Sequence, residues 1–436
     1  MEDMLLIDSL GPCRFPSPLG LSSTRGDKIV NYVGDEERII LDVDLETCRR
    51  NCGNPPSLEK AGPRAELFFD PSATTAAIVT CGGVSPGLNN VIRGVCREAR
   101  LRYGVRSILG IKYGYEGLVP EYGHQPVELT PETVEDIGHL GGTVLGTSRG
   151  RQDPATMVDF LVSRGIDILF AVGGDGTLKG ALQIYREIAR RGLPIAVAGI
   201  PKTIDNDIGY MDRSFGFETA FSISSMILET AHSEAVSHYN GIAVVKLMGR
   251  DSGFIAANAA LANPVVNFVL IPEMDFDLTG PRGFLEALAR RIEEKHHALV
   301  VIGEGAGQNF FPEGDRETDA SGNVRYHDIG VRLKNEIAKF MEARGTDFTI
   351  KYIDPSYIIR STPAIPDDRK FSTLLAQYAV HGAMAGKTGF VVGRLHQEFV
   401  HIPIPAAVRE KKRIDLESQL WLDVLQATGQ PVNMKN

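Results

Sequence analysis

The stretch Ile166-Asp167-Ile168-Leu169-Phe170-Ala171-Val172-Gly173-Gly174-Asp175-Gly176-Thr177 decides the fold. Its first seven residues are nearly all apolar. Such a run reads as a strand buried on both faces, which belongs in a parallel sheet covered by helices. Two glycines then turn the chain tightly. Residues 178–191 follow with Leu182, Ile184, Tyr185 and Ile188 on a helical face, ended by Gly192. A second apolar run occupies 195–200. Strand, crossover helix and strand make one βαβ unit.

The same alternation extends in both directions. Upstream, Ala76-Ala77-Ile78-Val79-Thr80 reads as a buried strand, and 89–101 carries Val91, Ile92, Val95 and Ala99 at helical spacing. A short strand is expected at 107–111. Thr130-Pro131 reads as an N-cap and first helical residue, predicting a helix to about Leu140. Residues 154–164 read as a helix stopped by Gly165. Downstream, strands are expected near 242–247, 266–271, 299–302, 348–353 and 389–393. Helices are expected at 215–238, 254–261, 282–294, 331–343 and 370–385. The whole from Thr74 predicts an α/β fold of two Rossmann-like lobes with mainly parallel sheets.

Other segments read differently. Residues 1–73 hold scattered prolines and short alternating pieces such as Arg38-Ile39-Ile40-Leu41-Asp42-Val43, the pattern of a partly irregular N-terminal extension. The polar stretch 311–330 reads as a loop or short hairpin insertion. Arg409-Glu410-Lys411-Lys412-Arg413 reads as a solvated helix start, and Trp421 as a packing residue.

Length and composition bound the function. The 436 residues suggest two to four domains, and 43% hydrophobic content supports a sizeable core. A net charge of −9 argues against non-specific nucleic-acid or anionic-membrane binding. It leaves room for an anionic small molecule, whose site needs only local positive charge. No apolar run is long enough to span a membrane. Met1-Glu2-Asp3 lacks a basic region followed by an apolar run, and Met434-Lys435-Asn436 is no targeting address. Of five cysteines, Cys48 and Cys52 are close in sequence, but no second pair or histidine cluster accompanies them. Reduced thiols and a cytoplasmic location are expected.

Three glycine-rich loops follow predicted strands, at the carboxyl edge where α/β sheets bind ligands. Gly82-Gly83-Val84-Ser85-Pro86-Gly87 lets backbone N–H groups approach a phosphate, and reads equally as a tight strand-to-helix turn. In Gly173-Gly174-Asp175-Gly176-Thr177 the carboxylate can hold Mg²⁺, and the hydroxyl can donate to phosphate or cap a helix. Pro201-Lys202-Thr203-Ile204-Asp205-Asn206-Asp207 joins a lysine, a hydroxyl and two carboxylates. One aspartate could remove a proton while the other shapes charge or metal, the division that base-assisted phosphoryl transfer needs. Met248-Gly249-Arg250, Glu304 and Tyr357-Ile358-Ile359-Arg360 also follow apolar runs, and Arg149 and Arg151 lie in a glycine-bounded loop. Each arginine alone fits a surface ion pair; together they point to a phosphate-lined cleft.

From about Thr74 to about Phe399 the chain resembles the 6-phosphofructokinases, in the long ATP-using branch of plants and trypanosomatids. The strings that carry the resemblance are Gly82-Gly83-x-x-Pro86-Gly87-x-Asn89, Gly173–Thr177, Pro201–Asp207, Met248-Gly249-Arg250 and Tyr357-x-x-Arg360, in that order. The resemblance implies a nucleotide-binding lobe at 74–240, a mainly sugar-phosphate-binding lobe at 241–400 with possible chain crossing, and a C-terminal segment at 401–436. It implies transfer of the γ-phosphoryl group of Mg-ATP to the 1-hydroxyl of fructose 6-phosphate, a glycolytic step, by an allosteric homotetramer.

It also implies roles. Asp205 would be the base, supported by Asp207. Asp175 would hold Mg²⁺. Gly83, Tyr113, Arg149, Gly150, Gly174, Gly176 and Thr177 would contact the nucleotide. Lys202, Thr203 and Arg250 would line the transferring group. Met248, Gly249 and Glu304 would hold sugar hydroxyls, and Tyr357, Arg360 and Lys351 the 6-phosphate. In pyrophosphate-using relatives, a second aspartate stands where this chain has Gly176. Lys202 occurs in those relatives too, so pyrophosphate is the alternative donor. Val84, Gly241 and Tyr357 depart from many short bacterial members, which carry Asp, Arg and His there. A NAD kinase or a non-catalytic nucleotide sensor are rival readings. The first lacks the Tyr357/Arg360 motif, and the second would be expected to lose Asp205 or Asp175.

Overall fold

A computed structural model describes residues 5–51, 54–312 and 325–436. The chain forms two compact units. One holds the chain up to Thr203, Ile208–Gly216 and Ser361–Glu410; the other holds Ile204–Asp207, Phe217–Arg360 and Lys411–Asn436. The boundaries expected at 240 and 400 therefore fall elsewhere. Helix Phe217–Val236 packs on strand Gly241–Leu247 of the second unit, and helix Pro366–Met384 packs on helix Leu88–Arg97 of the first. An apolar helix face does not encode which of two similar sheets it will cover.

The first unit is built on a nine-stranded sheet. Its strands run, in spatial order, Arg38–Ile40, Ser57–Lys60, Glu398–Pro403, Phe390–Leu395, Ala196–Pro201, Ile168–Gly173, Thr75–Thr80, Ser107–Ile111 and Val127–Glu128. The five from Phe390–Leu395 to Ser107–Ile111 are mutually parallel. Their side chains alternate between two cores. Ile78, Phe170, Ala198 and Val392 face one, and Val79, Leu169, Val197 and Val391 the other. Both faces are covered, which is why these strands lack polar alternation. The second unit has a four-stranded, all-parallel sheet ordered Phe268–Leu270, His297–Gly303, Gly241–Leu247, Thr349–Ile353. The α/β class and the parallel sheets are as expected.

Residues 1–73 do more than their irregular composition indicates. Ser57–Lys60 pairs antiparallel with Glu398–Pro403 and Arg38–Ile40 adds outside it, so the segment extends the first sheet. A buried charge cluster fastens it. Glu59 accepts from Arg64 at 3.0 Å and from His401 Nδ1 at 2.9 Å, and lies 3.4 Å from the Lys387 ammonium.

Two elements differ from expectation. Residues 131–136 are turns followed only by the 3₁₀ segment Ile137–His139. Thr130 and Thr133 exchange side-chain-to-backbone bonds that close a local turn, and Asn89 and Asn90 donate to the carbonyls of Leu140 and Gly138. Residues 409–413 form no helix. Trp421 is buried, 3% exposed, in helix Gln419–Thr428. Cys13, Cys48, Cys81 and Cys96 are free thiols. Cys52, residues 1–3 and most of the insertion read at 311–330 lie outside the described residues. Among the described residues no helix is long and apolar enough to cross a membrane.

Candidate active site

In each unit, parallel pairing brings the loops after neighbouring strands to one sheet edge. In the first, Thr80 pairs with Val172 and Gly173 with Pro201, so Gly82-Gly83, Gly174–Thr177 and Lys202-Thr203 are neighbours. Lys202 is 7% exposed and donates to the Gly83 carbonyl at 2.6 Å. The sequence placed Asp175 in a loop. It begins helix Asp175–Arg190, with Gly174 at the N-cap and its carboxylate 2.8 Å from the Lys179 ammonium. Gly173 cannot be replaced cheaply, because a Cβ there would meet the Thr177 hydroxyl at 2.1 Å. A Cβ on Gly176 would meet nothing within 4 Å. The helix N-terminus thus opens onto free space, a ready anion site.

The loop of Arg149 and Gly150 adjoins these. Gly82 N–H donates to the Ser148 carbonyl at 3.0 Å, and the Thr147 hydroxyl to the Gly82 carbonyl at 2.6 Å. Tyr113 follows strand Ser107–Ile111, with its ring half-exposed beside that of His124 at 4.6 Å. Tyr115 was missed by sequence reading. It is buried, and its hydroxyl donates to the Thr177 carbonyl at 2.7 Å.

In the second unit, Leu247 pairs with Gly303, so Met248-Gly249-Arg250 and Glu304 emerge side by side. Glu304 N–H donates to the Leu247 carbonyl at 2.9 Å. Asp205 is half-buried here, with its Oδ1 atom out of solvent. Burial first, then the charges of Asp207 and Glu304, push its carboxyl up to about 8, against the pull of Arg360 and Lys411. Burial raises Glu304 as well, opposed by Arg360, Arg250 and Lys246. Arg360 lies in the last turn of the short helix Ser356–Ser361, and its Nε is buried with no hydrogen-bond partner among the described residues. Three acidic groups facing convergent cations, one with an unsatisfied N–H, suit an anionic substrate and a proton acceptor.

Two expected phosphate contacts are placed less closely. Tyr357 is 83% exposed, and the Lys351 ammonium is engaged by Glu234 at 3.5 Å. Asp251, Tyr326 and Lys411 were missed. The Tyr326 hydroxyl donates to Asp251 at 3.2 Å, and Lys411 contacts both Asp251 and Asp207. Adjacency of Asp251 to Arg250 was the only available signal. Among the described residues no cluster of three or more His, Cys, Asp or Glu could hold a metal ion. A Mg²⁺ ion held by one carboxylate and by substrate phosphates does not require one, and Asp175 beside the open helix N-terminus fits that arrangement.

These features define an α/β protein with glycine-rich strand-end loops in one unit and carboxylates set among cations in the other. The pattern of the family described as Phosphofructokinase matches residues 75–383, and the chain belongs to that family. Two relatives named ATP-dependent 6-phosphofructokinase cover nearly its whole length. That of Borreliella burgdorferi is 47% identical over 99% of this chain and 97% of its own. That of Amycolatopsis methanolica is 45% identical over 98% of this chain and 95% of its own. A pyrophosphate-dependent phosphofructokinase from Marinobacter aquaeolei, of known structure, superposes with a TM-score of 0.67, covering 82% of this chain and 92% of its own. At 21% identity that likeness concerns the fold alone.

Proposed function

We infer that the chain transfers the γ-phosphoryl group of ATP to the 1-hydroxyl of fructose 6-phosphate. The observation that carries this reading is Asp205, a half-buried carboxyl whose Oδ1 is out of solvent and whose proton affinity is raised, set between acidic neighbours and the Arg360 and Lys411 cations. In its ionised form it takes the proton of the attacking hydroxyl. Arg360, whose Nε lacks a partner among the described residues, receives the 6-phosphate through charge-assisted bonds. Arg250 and Glu304 orient the sugar. Lys202 and Thr203, which directly precede the base in sequence, stabilise charge on the phosphoryl group in flight. Gly174, Gly176 and Thr177 face the donor phosphates, and Gly83, Tyr113, Arg149 and Gly150 the rest of the nucleotide. Mg²⁺, when bound at Asp175, neutralises donor phosphate charge. A cytoplasmic homotetramer under allosteric control belongs to the same proposal.

A coupled assay with ATP and pyrophosphate in parallel tests it. ATP with fructose 6-phosphate supports turnover, and pyrophosphate is poor or inactive. Absence of turnover with either donor would remove the assignment.

A further inference from the structure

Lys411 lies in the charge run that the sequence marked as solvated surface, yet the backbone just after it is pinned against the carboxylate cluster of the second unit. Lys412 N–H donates to the Asp207 carbonyl at 2.9 Å, and the Lys412 ammonium lies 5.0 Å from the centre of the Phe254 ring. Ile414 N–H donates to Glu273 Oε1 at 2.8 Å. The same carboxylate caps Gly253 N–H at 3.0 Å, at the start of helix Phe254–Leu261. Held on its C-terminal side, Lys411 sends its ammonium to Asp207 Oδ2 at 3.7 Å and to Asp251. The Tyr326 hydroxyl bonds Asp251 in turn, and Arg250 lies over the Tyr326 ring at 4.7 Å. The Ser252 hydroxyl donates to the Asp205 carbonyl at 2.9 Å, so the turn bearing the base is braced from the same segment.

We infer that Lys411 is a positioning residue for phosphoryl transfer, holding Asp207 and the turn that carries Asp205 against Asp251. The inference rests on the reading of Asp205 as the base. Its physical reason is charge balance during turnover. The groups that act on Asp205 are Asp207, Glu304, Arg360 and Lys411. Once an anionic sugar phosphate occupies Arg360, that cation is shared with the substrate. Lys411 is bonded to carboxylates of the protein itself and keeps its charge directed at them. Without it, repulsion between Asp205 and Asp207 would open the turn and displace the base. An ordinary surface ion pair contributes little. This one differs because Asp207 is only 13% exposed and the neighbouring backbone is fixed.

The test uses the full-length chain with Lys411→Ala, Lys411→Arg, Asp251→Asn and, alongside them, Asp205→Asn. Lys411→Ala should lower kcat about 10–100-fold while KM for fructose 6-phosphate and for ATP changes less than about threefold. Lys411→Arg should recover most of the loss. If Lys411→Ala does not fold, Asp251→Asn still reports, because it removes the second anchor of the ammonium. It should lower kcat by about 3–10-fold with the same KM pattern. A folded Lys411→Ala enzyme with near-parental kcat would overturn the inference. So would a rise in KM for fructose 6-phosphate at unchanged kcat, or an unaffected Asp251→Asn. Retained activity in Asp205→Asn would instead overturn the base assignment on which it rests.

Discussion

The Lys202 ammonium donates to the carbonyl oxygen of Gly83 at 2.6 Å, tying the end of strand Ala196–Pro201 to the glycine-rich loop after strand Thr75–Thr80. The lysine is nearly buried, so its charge acts in a medium less screening than water. Lys202→Met keeps the stem and removes the donor. It should cost about 10²–10³ in kcat, the usual effect of deleting one preorganised donor to developing charge. Near-normal kcat in a folded variant would show that the lysine serves the loop alone.

Asp205→Asn keeps size and hydrogen bonding and removes proton acceptance. The expected fall in kcat is roughly 10²–10⁴. In the parent, kcat/KM should rise with pH toward the titration of Asp205 near 8. Stability should move the other way. A carboxyl that titrates near 4 unfolded and about 8 folded binds its proton more tightly in the native state, so the parent loses stability as pH rises through that window. The melting temperature of Asp205→Asn should therefore exceed that of the parent, by a margin that widens from about pH 5 to about pH 8 and then levels off. A margin independent of pH would contradict the burial of an ionisable group here.

Much of this site was legible from strand ends. Apolar runs followed by Gly82-Gly83, Gly174-Asp175, Lys202-Thr203 and Arg250 announce a sheet edge, because parallel strands leave their loops on one side. Lys411 was not legible. A basic pentapeptide looks the same whether it faces water or reaches a carboxylate distant in sequence. The cap-and-proline signal also misled at 131–140, where reciprocal bonds between Thr130 and Thr133 close a local turn. The role of residues 1–73 was hidden for a related reason. Strands as short as Arg38–Ile40 and Ser57–Lys60 carry little pattern, and their pairing depends on an edge strand far along the chain.

Arg360→Ala should weaken fructose 6-phosphate by about 1.5–3 kcal/mol, the contribution of a charged hydrogen bond. ATP binding measured without sugar should change little. Loss confined to ATP would misplace the sugar-phosphate site.

The N-terminal segment should behave as part of the first sheet. Burial alone would raise Glu59, but the His401 hydrogen bond and the charges of Lys387 and Arg64 hold its carboxyl below the usual range. Burial holds His401 below the usual imidazole range, against the pull of Glu59. Glu59→Ala leaves Lys387 and Arg64 with the largely exposed Asp35 carboxylate, at 3.1 and 2.8 Å, and should cost up to about 3 kcal/mol of stability, read as a lower melting temperature with little change in kcat. The parent should also weaken in acid. The histidine contribution fades as pH falls below about 6.5, and the carboxylate contribution as pH falls below about 4.3. Deleting residues 1–73 should reduce solubility or assembly, because it uncovers strand Glu398–Pro403. A truncated chain matching the parent in activity, oligomer size and thermal stability would make the segment dispensable.

The last prediction concerns the phosphoryl donor, and Gly176 is its most discriminating residue. A lysine at position 202 can neutralise phosphate charge for either donor and so decides little. Space beside Gly176 is different. A Cβ there would meet no protein atom within 4 Å, so protein packing does not require the glycine. An aspartate would fill that opening and set a negative charge against the nucleotide phosphates. Gly176→Asp should therefore lower ATP-dependent kcat/KM sharply, since apposed like charges can cost several kcal/mol. It should not harm the fold. The position is in the first turn of helix Asp175–Arg190, where replacing glycine lowers unfolded-state entropy and an acidic side chain complements the helix dipole. The expected signature is an unchanged or slightly raised melting temperature with collapsed ATP activity. Pyrophosphate activity need not appear, because the remaining pocket must also fit the smaller donor. Faster turnover of the parent with pyrophosphate than with ATP would overturn the donor assignment. An unimpaired Gly176→Asp enzyme would leave ATP as donor and remove the steric and electrostatic reason offered for it.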